Sequence, residues 1–182
     1  ARQPPKARRR DPAQRPEGHT PVEPLLLTSP PDGLGMAAPD AALVAGRDVW
    51  LVHPWRLDDL PATLPADTLV VGVMVADFHR TWPWSERRWR FVADRMAALT
   101  PTRWWGDAAA LGGALQGARS VRCVDEPHLA PWLARWAEGE AVPRLFPTID
   151  RRCDSFSQWW NRAIRGLDTA DDLLAVNNAP AW

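Results

Sequence analysis

The chain has 182 residues, with 22 Lys and Arg against 22 Asp and Glu and a formal charge of zero. That suits one domain with a tail and argues against a whole-protein basic face for nucleic acid. Two cysteines, Cys123 and Cys153, make no disulfide framework, and no apolar run approaches the ~20 residues of a membrane span. The opening is polar and Pro-rich without an apolar leader, so composition points to a soluble, cytoplasmic protein. Twelve Trp with no Tyr, and 19 Pro, are its oddities.

Residues 1–20 hold Arg2, Lys6, Arg8, Arg9, Arg10 and Arg15 against Asp11 and Glu17, which leaves 16 basic against 20 acidic side chains in the remainder. With so few large apolar groups, residues 1–40 read as a disordered, basic, Pro-rich tail, Leu25-Leu26-Leu27 being its one sticky point. Such an arm suits DNA phosphates, or is a plain solvated extension, which is the simpler reading.

From residue 48 short apolar runs alternate with helical periodicity. Asp48 to Val52 reads as a strand that stops at His53-Pro54. Thr68 to Val75 is nearly continuous apolar, as a central parallel strand covered on both faces requires. Ser85 is placed to cap a helix from Glu86, in which Trp89, Val92, Met96 and Leu99 fall on one face. Thr102 to Trp105 is a short strand ending at Gly106-Asp107, and Asp107 caps a helix over residues 108–115, closed by Gly117. Ser120 to Val124 is the next strand. Leu129, Trp132, Leu133 and Trp136 form a helical stripe with Pro131 in the first turn. This alternation predicts an α/β fold over 48–150, a Rossmann-like doubly wound parallel sheet with flanking helices.

Residues 151–182 read as a C-terminal helical extension. Ser155 and Gln158 form a capping box, and Phe156, Trp159, Trp160, Ala163, Ile164 and Leu167 share a face, which reads as core rather than a cofactor box. Asp168 caps a last short helix through Leu174.

The chain has no phosphate loop, hydrolase nucleophile elbow or metal-spaced Cys/His set, and Gly112 to Gly117 sits in a helix where no dinucleotide fingerprint works. If the strands are parallel, His53 to Asp58, Asp77 to His79, Gly106-Asp107 and Asp125-Glu126 converge on the carboxyl edge, where open α/β sheets bind ligands. Trp55 and Arg56 can cover a flat ring there by stacking, or they, with Asp125 and Glu126, are ordinary turn residues. Asp125 and Glu126 stand in a stiff loop before Pro127. His53 and His79 are well placed too, or are ordinary loop histidines.

Several segments in order resemble the N-terminal α/β domain of DNA photolyases and cryptochromes, over roughly residues 48–166. Arg56-Leu57-Asp58-Asp59-Leu60-Pro61-Ala62 is similar to the family's Arg-Asp-Leu-Arg turn and Asp-Asn-x-Ala-Leu helix, with one basic residue and the Asn absent. Val70 to Asp77 resembles its second strand. Ser85-Glu86-Arg87-Arg88-Trp89-Arg90-Phe91 resembles the helix that opens Arg-x-x-Phe-Leu. Arg103-Trp104-Trp105-Gly106-Asp107 resembles the next strand and Gly-Asp turn. Asp125-Glu126-Pro127 falls at the family's Asn-x-Asp/Glu-x-x-Pro loop, and Phe156 to Ala163 looks like Phe-Thr-Pro-Phe-Trp-Arg-Ala.

In that family the flavin, the lesion pocket and the electron-relay tryptophans belong to a helical domain that follows. The resemblance therefore implies no FAD on this chain alone, no catalysis by it alone, and no relay role for its Trp. It implies an accessory to a separately encoded flavin-binding helical chain in light-dependent DNA repair, holding an antenna chromophore of pterin or deazaflavin type. In family antenna pockets a carboxylate of this loop bonds a pterin-type ring, which makes Glu126 the carried-over contact. The alternative is a stand-alone binding protein that kept the fold without light chemistry.

Overall fold

The computed structural model describes residues 23–141, 146, 149–167, 169 and 172. In chain order the elements are β1 (Leu26–Leu27), α1 (Ala41–Val44), β2 (Asp48–Val52), β3 (Leu69–Val75), α2 (Ala76–Thr81), β4 (Trp84–Ser85), α3 (Glu86–Leu99), β5 (Arg103–Gly106), α4 (Ala108–Leu115), β6 (Ser120–Val124), α5 (Ala130–Trp136), β7 (Glu138–Glu140) and α6 (Phe156–Ala163). Five strands form one parallel sheet in the order β5-β3-β2-β6-β7. Along the chain this is third, second, first, fourth, fifth, so the direction of winding reverses between β2 and β6. That reversal opens a crevice at the carboxyl ends of those two strands.

Alternation along each strand divides the core. Val49, Leu51, Val71, Val73, Val75, Trp104 and Cys123 face α4 and α5, meeting Leu111, Leu115 and Leu133. Trp50, Val52 and Met74 face α3, meeting Trp89, Val92 and Met96. The expected α/β sheet, with helices on both faces, is thus present. At Gly72 the packing on α3 leaves no room for a side chain, because a Cβ there would collide with the thioether of Met96. Asp107 caps α4 as expected, its carboxylate accepting from the Ala110 N–H at 2.7 Å. Ser85 holds the N-cap position of α3 without a side-chain bond.

Several expectations are corrected. The tail reading of 1–40 fails from residue 26 onward. Leu26 and Leu27 pair antiparallel with Ser85 and Trp84, and Leu34 is buried. The Ala37 N–H donates to Arg103 O at 2.8 Å and Ala37 O accepts from Trp105 N at 2.9 Å. Strand β5 is the outermost strand on that side, and its unpaired backbone groups need partners. Backbone groups of the segment before α1 supply them, so apolar content alone underestimates its order. Residues 1–22 lie outside the described residues.

The 53–68 connection contains no helix, unlike the helix implied by the resemblance. Pro61 and Pro65 interrupt any helical ladder there. Strand β7, Glu-Gly-Glu, carries no apolar signal and pairs with β6 through its backbone. In α6 only Ala163 of the expected face is buried, while Phe156 is 70% and Trp160 36% exposed. The cap is offset as well: Ser155 Oγ accepts from Gln158 N, but Gln158 Oε1 accepts from Asp154 N. The expected last helix from Asp168 lies largely outside the described residues.

Candidate functional site

The parallel register brings the carboxyl ends of β2, β3, β5 and β6 to one edge. Strand β2 runs directly into His53, which is fully buried. Its Nε2 donates to Val124 O at 2.9 Å, joining the two strands that flank the crevice. This bond fixes the neutral tautomer with its proton on Nε2. Burial lowers the His53 pKa, with the Val124 carbonyl opposing, and Nδ1 has no partner among the described residues.

A tight turn, closed by Arg56 N donating to His53 O at 2.9 Å, then parts Trp55 from Arg56. Trp55 packs edge-on against Phe78 at 4.7 Å and Trp84 at 5.8 Å, and against His128 at 5.5 Å. Together they line a cavity of about 630 Å³ whose wall also includes Arg88 and Trp132. Arg56 faces elsewhere. It lies 3.7 Å from Asp58 and lines a smaller cleft of about 190 Å³ with Trp50 and Leu60.

Asp125 and Glu126 border a third opening, between α5 and β7. The Asp125 N–H donates to Glu140 O at 2.9 Å, and its carboxylate lies over Gly139, where a Cβ would collide with it. Asp125 therefore turns toward β7. Glu126 Oε1 accepts from His128 N at 3.1 Å and stands 3.9 Å from the His128 ring Nε2. The four expected contacts thus surround three openings, and Trp55 and Glu126 are linked only through His128.

The other candidates of this edge have structural partners. Asp77 Oδ1 accepts from Arg80 at 2.9 Å and Oδ2 from the Ala108 N–H at 2.6 Å, so it caps α4 as well as lining the cavity. His79 is 1% exposed and lies 4.3 Å from both Trp84 and Trp89. Burial, aided by the nearby Arg88 charge and opposed by a backbone bond at Trp82, lowers its pKa to about 4. His79 is a neutral core ring behind the cavity.

Phe78, Trp84, Arg88, His128 and Trp132 escaped sequence reasoning. They come from four separate segments, and the only local signal was the Trp82-Pro83-Trp84 cluster beside a buried strand's end. Cys123 is buried, and burial pushes its thiol up to about 11, so it is no nucleophile. Among the described residues no His, Cys, Asp and Glu cluster suits a metal ion, and no helix is long and apolar enough to cross a membrane. The cavity wall is mainly aromatic, with Asp77, Thr81, Arg88 and His128 as its polar side chains. No protein-family model, curated protein or solved structure matches this chain.

Proposed function

We propose that this chain is a photolyase- and cryptochrome-related α/β module that holds a planar antenna pigment, pterin- or deazaflavin-like, at the carboxyl edge of its sheet. In this role it serves a separately encoded flavin-binding helical chain in light-dependent DNA repair. The observation that carries the reading is the aromatic cavity of Trp55, Phe78, Trp84 and His128 beside the winding reversal. Its walls are mostly rings, with Asp77, Thr81, Arg88 and His128 as their polar side chains, and a largely aromatic lining with a few polar groups is the usual setting for a small planar ligand. Glu126 reaches this site only through His128, 3.9 Å from its ring, whereas the resemblance has the loop carboxylate bond the pterin-type ring directly.

The exposed ring face of α6, Phe156 and Trp160, favours association with another chain. It also supports the alternative, a binding protein without light chemistry. A pigment assay separates the two. The chain is co-expressed with candidate flavin-binding helical chains, and Glu126→Ala and Trp55→Ala are compared with the parent. Pigment should co-purify with the parent and be lost from both variants, while the melting temperature of Glu126→Ala shifts little. A colourless parent favours the alternative, and pigment undiminished in both variants removes the site.

A further inference from the structure

We propose that the molecule held in the cavity lined by Trp55 and Trp84 is an anion, a planar aromatic carrying a carboxylate or phosphate group that pairs with Arg88. This rests on the cavity being a ligand site and adds the charge class of what it takes. Arg88 is exposed on the first turn of α3, and its guanidinium lies 4.1 Å over the Trp84 ring. It makes no hydrogen bond or ion pair among the described residues, whereas its neighbours Arg80 and Arg90 are paired with Asp77 and Glu86. A guanidinium stacked by its face keeps its N–H edge free to bind an oxyanion.

The rest of the wall has the same bias. Among the described residues Asp77 is its only carboxylate, and both oxygens are occupied, by Arg80 and by the Ala108 N–H. The indole N–H groups of Trp55, Trp82, Trp84 and Trp132 meet no acceptor among the described residues. Glu126 stands behind His128 rather than on the wall. Thr81 and His128 apart, whose hydroxyl and imidazole can accept as well as donate, the free side-chain polar groups lining the cavity donate, and one positive charge is uncompensated. A neutral flat molecule would leave that charge unused; an anionic one uses it.

The test compares two pterins that share a ring and differ in charge, 6-carboxypterin and 6-hydroxymethylpterin, by equilibrium dialysis against the full chain. The expected result is a preference of about fivefold for the carboxylate at low salt, the size of a partly exposed charge contact, shrinking as salt rises. Arg88→Gln should abolish the preference and Arg88→Lys should keep part of it, with unchanged thermal melts showing that both variants fold. Equal affinities in the parent, or a preference that survives Arg88→Gln, overturn the charge assignment alone. If neither pterin binds, the charge assignment and the cavity as a pterin-type site fall together.

Discussion

Replacing His79 by Phe should change how stability depends on pH more than how large it is at neutrality. The ring is buried against Trp84 and Trp89, and its pKa is lowered from 6.5 to about 4. Below pH 6.5 the unfolded chain takes up a proton at this site, while the folded chain takes it only near pH 4. Acid therefore favours unfolding across that window, by about 1.4 kcal/mol per pH unit for one proton, or ~3 kcal/mol over the whole interval. Phe has a similar shape and removes the proton altogether. It also removes the backbone bond at Trp82, for a loss of ~1 kcal/mol that is independent of pH. Urea unfolding at several pH values from 4.5 to 7.5 should show the parent losing stability toward acid with a steeper slope than His79→Phe. The difference should amount to about one proton between pH 4.5 and 6. His53, also lowered by burial, contributes equally to both proteins and cancels. Parallel slopes would show that His79 is open to protonation in the folded state and that the aromatic box is drawn wrongly.

Met96→Asp puts an unpaired carboxylate against Gly72 at a fully buried position of α3. It should cost ~3–5 kcal/mol in denaturant titrations, and an unchanged melting temperature would place that face of α3 outside the core. Ala37→Pro deletes the N–H that pairs with Arg103 O at the sheet edge. A loss of ~1–2 kcal/mol is expected, and none at all would mean that the segment before α1 does not dock on β5.

Where the sequence concentrates its signal in one stretch, the fold can be read from it directly. The unbroken apolar run of β3 and the Asp107 cap each depend on neighbours along the chain, and both are present as expected. Strand β7 and the 26–40 segment depend on backbone groups of distant strands, which no side-chain pattern encodes. The wide aromatic stripe of α6 reads as core because periodicity cannot reveal whether a partner surface exists. The candidate site divides the same way. Trp55 could be placed at this edge because parallel strands must deliver their ends to it, and Glu126 reached the same edge but borders another opening. Phe78, Trp84, Arg88 and His128 were not, because only tertiary packing brings their segments together. Arg56 and Asp125 reached the right edge and face other openings, since a strand end fixes where a loop begins but not how its side chains turn.

The most direct test of the central claim is the absorbance spectrum of this chain purified together with a flavin-binding helical chain. A near-ultraviolet or blue band beyond that of the flavin, lost when Trp55 is replaced by Ala, is the predicted result. A complex that absorbs only as protein and flavin, or an extra band that persists in Trp55→Ala, would contradict a pigment held in the aromatic cavity.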